Sequence, residues 1–250
     1  MVDLRGSDRG VSEVLSYVFV FSLILFSVGV ISVSGFGALQ EVRSAEQVEN
    51  AEKAFDVLHS NMAELYDEGA PSRATELELG STELYYGEYV TVDVNLYDGA
   101  TWENDTSYQI RPLVQRLDNG RLVYYESGAV LRENRQSGVV TNDPPIRARG
   151  GSVYVTLPVL QAPNVRSVGG STALVRAEVT DREVVARDTT GTYDEIELNI
   201  TSPRASIWHD HLEERGFDCT DPAGDTVKCS QSGFDRLVVS AHEIDLSLVR

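Results

Sequence analysis

The first forty residues contain a long apolar run without a single charge. No Asp, Glu, Lys or Arg occurs from Val14 to Gln40, and Val14 to Val33 is dense in Val, Leu, Ile and Phe. Twenty residues of α-helix extend about 30 Å, which matches the hydrocarbon core of a bilayer. A buried core helix rarely runs this long without a charge, so the pattern predicts a membrane-spanning helix.

The charges on either side of this run predict its orientation. Arg5 and Arg9 precede it, whereas Glu41, Glu46 and Glu49 follow it. Basic residues accumulate on the cytoplasmic side of membrane helices. We therefore expect the N-terminus in the cytoplasm and the chain beyond about residue 40 outside it.

The apolar pattern then becomes one-sided. Apolar residues recur at spacings of three and four, which is typical of an amphipathic helix: Val48, Ala51, Phe55, Leu58, Met62 and Leu65. We expect one helix from about Glu13 to Asp67, ended by Gly69 and Pro71. The stripe fits both a long stalk that carries a head and an anchor with a short stalk.

From about residue 74 the period of the pattern falls to two, as in half-buried strands. Asp118-Asn119-Gly120 predicts a tight hairpin turn, and Asp143-Pro144-Pro145 predicts another turn. The predicted strands are Tyr89–Leu96, Gln109–Leu117, Arg121–Tyr125, Ala129–Arg132, Val153–Leu157, Ala173–Val179, Val184–Ala186, Glu195–Ile200, Leu237–Ser240 and Ile244–Val249.

One helix interrupts the late strands. Ser202 is a suitable N-terminal cap, and Pro203 fits the first position of the helix. Gly216 is a suitable residue to end the helix. Ala205, Trp208 and Leu212 share one face, and we expect Trp208 to be a packing anchor. The predicted fold class is α+β: a long N-terminal helix, transmembrane and then amphipathic, followed by a mostly antiparallel β head, a sandwich or curled sheet.

The composition excludes some classes of function. The chain has 250 residues, with 39 acidic against 21 basic side chains and a formal net charge of -18. Such a surface repels phosphate backbones, so we expect no nucleic-acid partner. Lys53 and Lys228 are the only lysines. An acidic chain so poor in lysine is typical of a halophilic protein, because salt screens carboxylate repulsion.

Candidate chemistry is sparse. His209-x-His211 with Cys219 and Cys229 offers atoms that zinc accepts, but residues two apart on a helix do not share a face. Cys219 and Cys229 form either a disulfide or two free thiols. The spacing of Asp218, Asp221 and Asp225 matches no EF-hand loop. With no nucleophile or phosphate-binding motif, we expect a non-enzymatic protein without metal or cofactor.

Two sequons predict possible N-glycosylation of an exported head. They are Asn104-Asp105-Thr106 and Asn199-Ile200-Thr201. We expect Asn104 in a loop and Asn199 in a strand, which makes Asn104 the better acceptor.

The residues before the apolar run allow three interpretations of the N-terminus. A secretory signal peptide would be cut after the run, near Ala38; a permanent anchor would not be cut. A cut after Gly10, between Arg9-Gly10 and Val11, would leave the apolar helix on the mature chain. That cut needs a flexible glycine and an extended backbone on the cytoplasmic side.

At these residues the stretch RGVSEVLSYVFVF resembles archaeal type IV pilin-like proteins with class III signal peptides, haloarchaeal members in particular. The resemblance implies a leader at 1–10, a helix at 11–68 and an extracytoplasmic head at 74–250. It also implies cleavage by a prepilin-type membrane peptidase. The mature chain would then lie in membrane lipid and assemble with sister subunits through the Val11 amine and Glu13. Bacterial relatives carry this glutamate at mature position five, whereas Glu13 would be third. The implied role is a surface subunit that assembles into a filament as a minor or accessory component. The alternative is an unprocessed single-pass anchor that displays a β-rich binding module.

Overall fold

The computed structural model of the chain describes the backbone of residues 8–80, 82–99, 101–117, 120–134, 137–163 and 167–249. Within these ranges it describes every side chain except those of residues 8–13, 33–41, 43, 44 and 102–104. The chain divides into two compact units, Met1–Glu46 and Gln47–Arg250.

Two helices and sixteen strands make up the described fold. The helices are α1 (Asp8–Tyr66) and α2 (Ala205–Glu214). The strands are β1 (Ser72–Glu78), β2 (Glu83–Tyr86), β3 (Val90–Asp98), β4 (Thr101–Ile110), β5 (Leu113–Arg116), β6 (Leu122–Glu126), β7 (Ala129–Glu133), β8 (Gly138–Asn142), β9 (Ile146–Arg149), β10 (Ser152–Gln161), β11 (Val168–Gly169), β12 (Thr172–Asp188), β13 (Glu195–Thr201), β14 (Asp218–Cys219), β15 (Thr226–Ser232) and β16 (Arg236–Val249).

The first unit contains the N-terminal part of α1, including the whole predicted membrane segment. The helix begins at Asp8, earlier than the predicted start near Glu13. Gly10 weakens a helix by about 1 kcal/mol relative to alanine, but a helix that is already nucleated extends through a single such residue. The long-helix prediction is otherwise confirmed, since the helix ends at Tyr66.

The second unit begins inside α1, so its core includes the last turns of that helix. All six residues of the predicted stripe are buried, with Phe55 and Leu65 at 0% exposure and Val48, the most exposed, at 6%. The boundary at Gln47 differs from the predicted head start at residue 74. The reason is that this stripe supplies apolar surface to the same core as the strands.

Helix α1 ends as predicted, and an arginine from a distant strand donates hydrogen bonds to the carbonyls at its C-terminus. Gly69 has φ 75°, and the Ala70 N–H donates to the Glu64 carbonyl at 3.0 Å. The last turn of α1 holds no basic residue. Instead, Arg182 of β12 donates from Nη2 to the carbonyls of Leu65 and Ala70, at 3.5 and 3.0 Å. A cation at this position also complements the helix dipole.

Replacing Arg182 with glutamine is expected to lower the free energy of unfolding by about 1 kcal/mol. The effect is this small because Arg182 is exposed and solvent screens its charge. The exposed Arg187→Gln on the same strand is the matched control and should leave stability unchanged. Chemical denaturation of both variants in detergent measures the difference. Equal stabilities of the two variants would show that the Arg182 contacts contribute nothing.

Three sheets form the head, and they are mostly antiparallel as predicted. Their strand orders are β1-β12-β16-β10-β9, β11-β2-β5-β6-β7-β8 and β14-β15-β13-β3-β4. The exception is β10, which pairs in parallel with β16 over ten residues, from Ser152↔Arg236 to Gln161↔Asp245. The predicted hairpin is the β5–β6 pair, and Gly120 in its turn has φ 78°. Asp118 and Asn119 lie outside the described residues.

Several predicted strand boundaries are wrong. The two strands predicted within Ala173–Ala186 are one strand, β12, whose pairing with β16 carries register shifts at Val179/Asp181 and Val184/Ala186. Bulges of this kind interrupt the alternation of exposed residues without ending the strand. Likewise β16 is one strand rather than two. The strand predicted from Gln109 is broken at Pro112, which lacks the N–H a central strand needs.

Helix α2 buries the predicted face, but its predicted cap is wrong. Ala205, Trp208 and Leu212 are buried, with Trp208 at 0% exposure. The helix begins one residue after Arg204, and no side chain caps it. Ser202 instead accepts a hydrogen bond from the Arg204 N–H at 3.1 Å, within a turn that precedes the helix.

Candidate functional site

The apolar segment of α1 is the most unusual surface in the described part of the chain. Val14–Ser32 has a mean hydropathy of 2.5, and 0% of it is buried. It is therefore long and apolar enough to span a bilayer. Fourteen large apolar side chains are between 49% and 72% exposed: Val14, Leu15, Tyr17, Val18, Phe19, Val20, Phe21, Leu23, Ile24, Leu25, Phe26, Val28, Val30 and Ile31.

Exposure on this scale is unfavourable in water. Each large apolar side chain loses about 1.5–3 kcal/mol when it is left fully exposed. Fourteen side chains that are about half exposed therefore represent on the order of 10–20 kcal/mol of hydrophobic free energy. That equals or exceeds the total stability of an ordinary domain, about 5–15 kcal/mol. A surface of this kind needs an apolar cover, either lipid or other apolar helices.

The backbone of this segment and one of its hydroxyl groups have partners within the helix. The helix satisfies its own backbone, as a hydrocarbon environment requires. The Ser27 Oγ donates to the Leu23 carbonyl at 2.8 Å, so this hydroxyl needs no partner from outside the helix. Tyr17 and Phe21 stack one turn apart, with 6.2 Å between ring centroids. The backbone and the Ser27 hydroxyl are thus compatible with a lipid environment.

The predicted processing residues lie in the first turns of α1. Arg9, Gly10 and Val11 follow Asp8, so their backbone is helical rather than extended as the cleavage interpretation expected. A peptidase that binds an extended chain would have to unwind this end, and the ends of helices fray. The side chains of these residues and of Glu13 lie outside the described residues.

The two cysteines form a disulfide between Cys219 and Cys229. They face each other on the neighbouring strands β14 and β15, and Cys229 is fully buried. The disulfide interpretation is therefore the one the structure adopts, and these sulfurs are not thiolate ligands. Disulfides persist in oxidising compartments and are rare in the cytosol.

The weaker metal candidates do not converge. No group of three or more His, Cys, Asp or Glu side chains suited to a metal ion occurs in the described part of the chain. His209 Nδ1 lies 2.9 Å from Asp210 Oδ1, a contact that raises the pKa of His209. His211 lies on another face of α2 and is buried, which lowers its pKa.

The two sequons both lie in strands. Asn199 is in β13, between β15 and β3, and its Nδ2 donates to Asp93 Oδ2 at 3.1 Å. Its nitrogen is therefore engaged. Asn104 is in β4, an edge strand, rather than in the loop that we expected. Its side chain lies outside the described residues.

A buried polar cluster in the head escaped prediction. Glu126 has 0% exposure and accepts hydrogen bonds from Ser202 Oγ at 2.8 Å, Arg204 Nε at 2.6 Å and Trp208 Nε1 at 2.8 Å. The Arg204 guanidinium also lies over the Tyr124 ring, 4.3 Å from its centroid. Three side-chain donors thus share one buried carboxylate, which is typical of a structural network. It fixes the N-terminal end of α2 against β6.

A second carboxylate, Asp188, organises the turn after β12. It accepts the Thr190 and Tyr193 N–H groups, each at 2.8 Å, and the Gly191 N–H at 3.2 Å. The amides of Tyr193 and then Thr190 favour its charged form and lower its pKa from 3.8 to about 2.

This shift predicts a pH-dependent contribution to stability. Because the folded pKa is depressed, the contribution is complete above about pH 4 and is lost as the pH falls through about 2. Asp188→Asn should therefore melt below the wild type at pH 7, and the gap should close towards pH 2. Thermal melts across this range measure it, with the exposed Asp181→Asn as control. A gap that is constant with pH would refute the assignment.

Sequence comparison places the apolar segment and the head in one family. The model of a family of unknown function (DUF7289) matches residues 9–247, and the chain therefore belongs to that family. No curated protein and no solved structure matches the chain.

Proposed function

We propose that this member of the family is a non-enzymatic, pilin-like cell-surface subunit, held at the membrane by the apolar segment of α1. The observation that carries the proposal is Val14–Ser32, a helix that is apolar on every side and 0% buried. The segment inserts in lipid or packs among like helices of sister subunits. The head is exported and functions by display or assembly, as a minor or accessory component of a filament.

The chemistry of the head supports an exported location. A disulfide between Cys219 and Cys229 is stable outside the cytoplasm. The arginines before the apolar segment, Arg5 and Arg9, favour a cytoplasmic N-terminus. Excess carboxylate with only two lysines suits a surface exposed to concentrated salt, as on a haloarchaeal cell.

The proposal includes cleavage by a prepilin-type peptidase after Gly10. The mature chain would begin at Val11, whose amine and the Glu13 carboxylate would meet neighbouring subunits at the cytoplasmic end of the helix. A carboxylate in the first turn also complements the helix dipole.

Mass spectrometry of the chain extracted from membranes tests this cleavage. We expect a mature chain that starts at Val11, and an uncleaved precursor when Gly10 is replaced by leucine. The exposed Gly169→Leu in β11, a glycine without positive φ, is a control that should leave the leader processed normally. A wild-type chain that starts at Met1, or near Ala38, would contradict the proposed processing.

The helical backbone at Arg9–Val11 favours a second candidate, an unprocessed single-pass anchor that displays a β-rich binding module. In that case the same membrane fraction would contain a chain starting at Met1. The Gly10 substitution would then change nothing.

A further inference from the structure

Helix α2 and the edge strand β8 enclose a cleft in the head. They touch at one end, where a methyl group on Gly138 would lie 2.2 Å from Ile207 Cδ1. At the other end, Arg215 is paired with Asp143, and His211 Nε2 lies 3.7 Å from the same carboxylate. A cavity of about 300 Å³ lies between β8 and α2.

The lining of the cleft combines apolar and acidic surface. Its apolar lining residues are Val139 and Val140 of β8 and Ile207 of α2. Val140 lies on the same face of β8 as Gly138, the face that meets Ile207. Asp210 and Glu214 bring carboxylates to it from α2. Asp210 contacts His209, whereas Glu214 has no hydrogen bond or ion pair within the described chain. An aliphatic stem that ends in a cation matches this combination, because the stem packs on apolar atoms while the head meets carboxylate.

A buried histidine points independently to an occupant. His211 lines the cleft and is only 7% exposed. Its nearest ionic neighbour, the Asp143 carboxylate at 3.7 Å, is too far for a hydrogen bond, and no residue that the structure describes supplies another. Burial is the main cause that lowers its pKa, opposed by Asp143 and assisted by Arg215. Its ring nitrogens are not among the fully buried polar atoms that lack a partner, so the polar part of the ring opens on the cleft. A neutral imidazole nitrogen can accept a hydrogen bond from an ammonium or guanidinium group.

We propose that this cleft binds the side chain of a lysine or arginine presented by a partner protein. The stem lies against Val140 and Ile207, and the cationic head donates to His211 and to the carboxylates of Asp210 and Glu214. A net charge of -18 on the chain favours approach of a basic partner. A metal ion does not fit, because these side chains form no group suited to one.

Titration of the full-length, isotope-labelled chain in detergent micelles with Nα-acetyl-lysine methylamide tests this assignment by amide NMR shifts. We expect saturable shifts confined to residues 138–140 and 207–214. The norleucine analogue, which has a similar stem without charge, should bind at least about tenfold more weakly. Glu214→Gln and His211→Gln should each weaken lysine binding about fivefold, and the neighbouring exposed Glu213→Gln should not.

Four results would overturn the proposal. They are the absence of saturable shifts, shifts centred elsewhere in the head, equal binding of the norleucine analogue, and tighter binding of putrescine than of the lysine derivative. The last would assign the cleft to a free diamine rather than to a protein side chain. Circular dichroism of each variant, compared with Glu213→Gln, verifies that a lost signal comes from the cleft and not from unfolding.

Discussion

Replacing Glu126 with alanine is expected to destabilise the head by about 3–5 kcal/mol, which lowers its melting temperature by about 6–20 °C. The carboxylate is completely buried, and it neutralises Arg204, which is 6% exposed. Its removal leaves a guanidinium in the core without a counter-charge, and leaves the Ser202 hydroxyl and the Trp208 indole N–H without their acceptor. Thermal unfolding followed by near-ultraviolet circular dichroism measures the loss, with Trp208 as reporter.

The matched control is an exposed ion pair in the same unit of the chain. Glu49 pairs with Lys53, one turn away on α1, with side chains 66% and 68% exposed. Solvent screens such a pair, so Glu49→Ala should shift the melting temperature by no more than about 2 °C. Similar effects of the two substitutions would contradict the view that the buried cluster holds α2 in place.

Two arginines in the middle of the apolar segment are expected to abolish membrane association of the chain. Leu23 is the midpoint of Val14–Ser32, and Ile24 follows it. Each arginine at the centre of a membrane helix adds about 2.5–3.5 kcal/mol to the free energy of insertion. The double variant Leu23→Arg/Ile24→Arg should therefore leave the membrane fraction, and its cysteines, no longer exported, should be alkylated as free thiols.

The second unit of the chain offers controls of equal exposure for both positions. Val184 is 67% exposed, as is Leu23, and Val57 is 54% exposed, as is Ile24. The variant Val184→Arg/Val57→Arg changes charge equally but should remain in the membrane with Cys219 and Cys229 oxidised. The prediction fails if the helix variant stays in the membrane with its disulfide formed, or if both double variants leave it.

Local patterns were enough to predict both helices and the general class of the fold. The stripe of α1 recurs at three and four residues, so Phe55 and Leu65 can be assigned to a core from spacing alone. The strands found by alternation are those with one buried face, such as β13, in which Ile196, Leu198 and Ile200 are buried. Periodicity reports burial, and these elements are half-buried.

Edge strands and long-range partners could not be read from the sequence in this way. In β8 no residue is fully buried, so Gly138–Asn142 carries little alternating signal. Glu126 and Ser202 are 76 positions apart, and a bond between them depends on the packing of α2 against the sheet. That contact also explains why Ser202 does not cap α2 as predicted. Its hydroxyl donates to Glu126 and accepts from the Arg204 N–H, in the turn before the helix.

The cleft shows the same limitation at a possible site. His211 is visible in the sequence only as half of a His-x-His pair, which suggests a metal. Asp143 is visible only as part of a turn before two prolines. The fold brings them within 3.7 Å because β8 ends where the last turn of α2 passes. Residue type and spacing therefore gave no indication that these two residues lie beside one cleft.

The central claim is that Val14–Ser32 remains on the finished chain and is covered by lipid or by like helices. Fractionation of cells into sheared filaments, alkali-washed membranes and soluble protein, with peptide mapping of each fraction, tests it most directly. We predict recovery in washed membranes or sheared filaments, with peptides of the apolar segment present. Recovery as a dissolved protein, with that segment either removed or still attached, would contradict the claim.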